Sequence, residues 1–180
     1  DDNAEHVLDT FHPFADGLAK EGMERAYKNL PLAVKDGNNI SARGEMLMAS
    51  AMGATAFQKG LGVNHSIAHA LGVFYDIHHG LANAAVLIEV LKYNAGDKKV
   101  ADRIAALGPI FDVDKNADAV IEAIEKWIIS LDLPTDLKSV NITADEVQKI
   151  EEYAQGDPCY PLNPRKVNAG DVTKIVNSLI

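Results

Sequence analysis

GLGVNHSIAHALGVFYDIHHGLANA, residues 60–84, reads as two helices meeting at a turn. Gly60-Leu61-Gly62 breaks the preceding helix, and a helical segment runs from His65 to about Tyr75. Ile77-His78-His79-Gly80 then reverses the chain before an apolar helix from about Leu81 to Tyr93. His65 and His69 stand four apart, so their side chains leave one helical face about a turn from each other, a spacing that presents two imidazoles to a common centre. His79 follows fourteen residues after His65, beyond the reversal, where a neighbouring helix would return it to the same pocket.

Outward from this stretch the periodicity stays helical. A first helix begins near Pro13, whose fixed φ suits a first turn, and is interrupted by Pro31. Asp36-Gly37-Asn38-Asn39 marks a turn, and Ser41 caps a long helix to about Lys59 whose small residues predict close packing. Further helices are predicted near 98–107, 117–131, 144–154 and 171–179, with Thr143 and Glu146 forming a capping box for the third of these. No segment alternates with period two over a strand's length, and no linker or repeat divides the chain. The expected fold is all-α, a helical bundle of about seven to nine helices forming one metal-binding domain over residues 1–180.

The 180 residues are 47% hydrophobic, enough to bury one sizeable core. A formal net charge of −9 disfavours nucleic acid and anionic membrane partners, whose binders gather Lys and Arg on one face. No stretch is apolar enough to span a membrane, and no basic-then-apolar leader opens the chain. The single cysteine, Cys159, forms no internal disulfide and suits a reducing, cytoplasmic setting; without a basic neighbour in sequence it reads as an inert thiol. An opening on Asp1 rather than methionine predicts a fragment or a processed product.

All six histidines lie within the first 79 residues. Asp2 and His6 form a second pair four residues apart, offering a carboxylate and another imidazole. Three imidazoles and a carboxylate suit Fe²⁺ or Zn²⁺, and ligand softness alone does not choose between them. Taken singly, each histidine is more readily read as a structural residue bonded to backbone; taken together, their spacing and clustering favour a metal centre. Met23, Met46, Met48 and Met52 read as core fillers, Trp127 as a packing residue and His12 as a surface or loop residue. His78 either orients its neighbour or contacts substrate, or is simply exposed.

The segment from Gly60 to Ala84 closely resembles the signature of iron-containing (group III) alcohol dehydrogenases, and the resemblance reappears in Asp157-Pro158-Cys159 and Asn163-Pro164-Arg165. It implies the C-terminal domain of a dehydroquinate synthase-like fold. It also implies metal ligands at Asp2, His6, His65 and His79, and a proton-relay role near the metal and nicotinamide for His69. Ala70 and His78 stand where the family usually has proline, and Asp9 where it usually has glutamate; the first two alter backbone stiffness more than ligand chemistry. The family places a nucleotide-binding α/β domain before this region, and no strand-glycine-helix unit occurs here.

The implied function is hydride transfer between a small alcohol or aldehyde and NAD(P), with a divalent metal, Fe²⁺ before Zn²⁺, as Lewis acid. The nicotinamide would be held only with the missing domain, so the isolated chain is expected to be inactive. A nucleotide-binding domain or further copies of the chain are the expected protein partners. The alternatives are a free-standing helical metalloprotein acting as a hydrolase and a non-catalytic interaction module.

Overall fold

A computed structural model describes residues 12–180. Among them are eight α-helices and no strand: α1 (Pro13–Lys35), α2 (Ile40–Ala56), α3 (Val63–Tyr75), α4 (His79–Ala95), α5 (Lys98–Ala105), α6 (Ala117–Ser130), α7 (Ala144–Gln155) and α8 (Asp171–Asn177). The all-helical expectation holds. No helix among the described residues is long and apolar enough to cross a membrane.

The core divides around α4. One cluster joins α3, α4, α7 and α8 through residues such as Ile67, Leu71, Val86, Ile150 and Val176; the other joins α4, α5 and α6 through Ile88, Ile104, Val120 and Ile124. The second cluster's members pack with Phe111, and Tyr27 of α1 meets Phe111 edge-on at 5.0 Å between ring centroids. Buried Ala68 and Ala70 keep α3 narrow enough to be covered on two sides, and Leu71 is wholly buried in the same cluster. α1 and α2 approach so closely that a Cβ on Gly22 would lie 3.3 Å from the Ala49 carbonyl oxygen.

Several boundaries differ from the sequence reading, α3 for instance beginning at Val63 rather than His65. Pro31 lies inside α1, which continues to Lys35; the proline comes in the final turns, where one missing hydrogen bond is tolerated and Asp36 N–H still closes on Leu32. The cap of α2 is Asn39, not Ser41: its side chain accepts from Ala42 N–H at 3.0 Å, and Ser41 is already helical. α2 ends at Ala56, and Phe57–Lys59 tightens to a 3₁₀ turn. His79 opens α4 instead of lying in the turn before it, because His78 takes the cap position and its Nδ1 accepts from Gly80 N–H at 3.2 Å. The Thr143–Glu146 capping box is present, with Glu146 accepting from the Thr143 amide at 2.8 Å.

Gly60 sets the entry into α3. Its φ of 94° and ψ of 165° belong to a region essentially confined to glycine, and an added Cβ would meet Leu162 at 2.8 Å. Gly60→Ala is therefore expected to lower the stability of the chain by about 1–3 kcal/mol, read as a shift of the urea midpoint. An unchanged midpoint would contradict this account of the turn.

Candidate metal and proton-relay site

Three imidazoles converge where α3 and α4 meet. Helical spacing places His65 and His69 on one face of α3, and the Asp76 residue, in the left-handed conformation at φ 54°, ends that helix and turns the chain so that α4 begins with His79 beside them. Ring centroids are 5.3 Å apart for His65 and His79, 5.4 Å for His69 and His79, and 6.0 Å for His65 and His69. The rings of His69 and His79 are nearly parallel, at 19°. Phe57 meets His65 edge-on at 6.0 Å, giving the pocket an apolar side.

The donor chemistry fits a divalent ion. Two imidazoles sharing one ion through nitrogens about 2.1 Å away, at a roughly tetrahedral angle, have centroids about 5 Å apart. The His65–His79 separation of 5.3 Å is compatible with that arrangement. Burial, followed by the neighbouring His79 and His69, pushes the His65 pKa down, so its ring stays neutral and keeps a lone pair for a cation. Asp2 and His6 lie outside the described residues.

His69 faces a different partner. Its Nδ1 lies 2.8 Å from Asp157 Oδ2, and the other carboxylate oxygen accepts from Cys159 N–H at 2.8 Å and the Ser66 hydroxyl at 3.2 Å. Burial works against the charged form of Asp157, but these hydrogen bonds, that of His69 foremost, hold its pKa below the usual carboxylate range. His69, Asp157 and Cys159 place potential ligand atoms within 4.8 Å of one another. Burial and Asp157 push the Cys159 thiol up to about 11, and the Asp157 oxygens are already engaged, so this trio is better described as a hydrogen-bonded cluster than as a ligand set.

His79 has its own support. Asn83 Nδ2 lies 3.2 Å from His79 Nε2 and donates to the His79 carbonyl at 3.0 Å, while Asn64 of α3 donates to Asn83 Oδ1 at 2.7 Å. The two histidine-bearing helices are thereby linked at the site. His12 is exposed and accepts from Ala15 N–H at 3.2 Å as the cap of α1; His78 is the exposed cap of α4. Sequence reasoning assigned no role to Asp157, Asn83 or Asn64. Asn64 and Asn83 sit inside the stretch quoted at the outset, but Asp157 is 88 residues from His69, and no local pattern announces that pairing.

Residues 7–180 match the sequence profile described as Fe-containing alcohol dehydrogenase family, C-terminal. The chain is 36% identical over 183 residues to the 4-hydroxybutyrate dehydrogenase of Cupriavidus necator, and the match covers 95% of the chain and 48% of that protein. It is 33% identical to a 1-propanol dehydrogenase of Salmonella typhimurium, covering 93% of the chain and 48% of the relative. The crystal structure of a 1,3-propanediol oxidoreductase superposes with a TM-score of 0.87 at 27% identity, over 99% of the chain and 50% of that structure. The chain thus spans about half the length of these proteins. Signature, fold and profile agree that the chain belongs to the iron-containing alcohol dehydrogenase family.

Proposed function

We propose that this chain is the metal-binding, catalytic half of an NAD(P)-dependent dehydrogenase that interconverts a small alcohol and its aldehyde. The supporting observation is the convergence of His65, His69 and His79 at one helix junction, with His69 set apart from the other two by its bond to Asp157. In this reading Asp2, His6, His65 and His79 hold one divalent ion, Fe²⁺ in preference to Zn²⁺, the carboxylate partly neutralising the cation and three imidazoles completing four-coordination. The bound ion supplies Lewis acidity toward the substrate oxygen. His69, its Nδ1 held by Asp157 at 2.8 Å, takes the hydroxyl proton, and the carboxylate stabilises the ring as it gains charge. A nucleotide-binding domain outside this chain would hold the nicotinamide, which supplies the acceptor for the substrate's hydride.

The test is the complete protein loaded with Fe²⁺, assayed for NAD(P)H formation with 1-propanol and 4-hydroxybutyrate. Turnover lost on chelation and restored by Fe²⁺ is expected. The 180-residue chain alone should give no steady NAD(P)H production, because hydride transfer needs a cofactor held at fixed distance. Turnover that survives complete removal of the metal would overturn the reading.

A further inference from the structure

We infer that Asp157 and Asn83 are positioning residues that hold the rings of His69 and His79 in the Nδ1–H tautomer, leaving an unprotonated Nε2 on each. A neutral histidine in water prefers the opposite tautomer, so two partners of opposite hydrogen-bonding sense impose the same inversion. The tautomers follow from the hydrogen bonds alone; their use in catalysis rests on the function proposed above.

At His69 the partner is an acceptor. An ionised carboxylate has no proton to give, so the 2.8 Å contact requires Nδ1 to donate, and the neutral ring then carries its lone pair on Nε2. The carboxylate cannot swing away, because Cys159 N–H and the Ser66 hydroxyl hold its second oxygen, and its side chain is only 7% exposed. That depressed carboxyl pKa keeps the acceptor ionised through the neutral range. A residue that is to receive a hydroxyl proton must offer a lone pair, and Asp157 secures one.

At His79 the partner is a donor. Asn83 directs Nδ2 at the His79 carbonyl, which can only accept, and its Oδ1 receives a proton from Asn64; these two contacts exclude the flipped amide. The remaining N–H faces Nε2 at 3.2 Å and requires a lone pair there. A cation approaching His79 has to displace the Asn83 N–H from that lone pair but needs no proton to leave the ring, and Asn83 remains anchored through the carbonyl and Asn64.

The tautomers are read directly from long-range ¹H–¹⁵N correlations of the labelled, metal-free chain at a pH above neutrality, the rings being assigned by signal loss in His69→Gln and His79→Gln. Nδ1–H patterns are expected for both. Asp157→Ala should convert His69 alone to Nε2–H. Asn83→Asp, which replaces a donor by an acceptor at a half-buried position, should convert His79 alone. A wild-type ring in the Nε2–H form, or a folded Asn83→Asp chain with His79 unchanged, overturns the inference. Should Asp157→Ala fail to fold, the wild-type spectrum and Asn83→Asp still decide it. Nδ1–H rings in a chain that takes up no Co²⁺ would support the tautomer assignment while overturning the metal reading.

Discussion

Replacing His65 or His79 by alanine is expected to leave the chain without its divalent ion after dialysis, whereas His12→Ala retains it. In the proposed site each central imidazole would supply one of four donors, and loss of residues that merely orient such donors already costs about 10–100-fold in affinity, so loss of a donor itself should exceed about 100-fold. His65 is suited to this because burial and its histidine neighbours keep it neutral, and His79 because its ring lies 5.3 Å from that of His65. His12 caps α1 and stands outside the cluster, so its removal should cost at most about 1 kcal/mol of helix stability. His69→Ala provides the sharper discrimination. Its Nδ1 is committed to Asp157, and as a relay it can be lost with the metal retained and turnover in the longer protein impaired. Metal content measured side by side in the four variants decides the matter. Equal retention in all four would sink the site, and equal loss in His69→Ala and His65→Ala would make His69 a ligand.

The helix junction was legible in the sequence because its signals are local. The four-residue spacing of His65 and His69, the Gly60-Leu61-Gly62 break and the reversal before His79 each act within a few residues, and the structure assembles them as read. Boundaries were less legible where two capping residues compete. Asn39 and Ser41 both have side chains that can cap, and Asn39 prevails because its backbone is the last outside the helical region, with ψ at 89°. Pro31 misled for a related reason: packing of α1 against α2 outweighs one missing hydrogen bond near the helix end. Asp157 illustrates a separate limit. Its function depends on a loop after α7 being returned to α3, and such tertiary pairing leaves no trace in periodicity.

The largest stability effect is expected at Asp171, far from the histidines in sequence but joined to the same helix. This buried residue opens α8 and receives hydrogen bonds from the Tyr93 hydroxyl at 2.9 Å and the Asn168 amide at 3.0 Å, with exposed Lys174 at 3.0 Å on its other oxygen. Tyr93 belongs to α4, whose first residue is His79; Arg165 lies 4.1 Å over its ring and donates to its backbone carbonyl. Asn163 extends the connection by donating to Asn94 at 2.7 Å and to the Arg165 carbonyl at 2.6 Å. The carboxylate therefore ties α8 and the 163–168 loop to α4. Burial disfavours its charge, but the donors of Lys174, Asn168 and Tyr93 outweigh that effect and hold its pKa far below the ordinary range; burial and the same contact push Tyr93 up to about 12. Asp171→Asn removes the charge that strengthens these bonds and is expected to cost about 3 kcal/mol near neutral pH, most of it from the two less exposed donors. Because the folded-state pKa is depressed below an unfolded value of about 3.9, the wild-type contribution is present above that value and lost as pH falls toward the folded pKa. Urea unfolding of both proteins at successively lower pH should thus show a wide gap near neutrality that narrows only below about pH 4. A gap of constant size down through the acid range would show that the shape of the residue, rather than its charge, holds α8 in place.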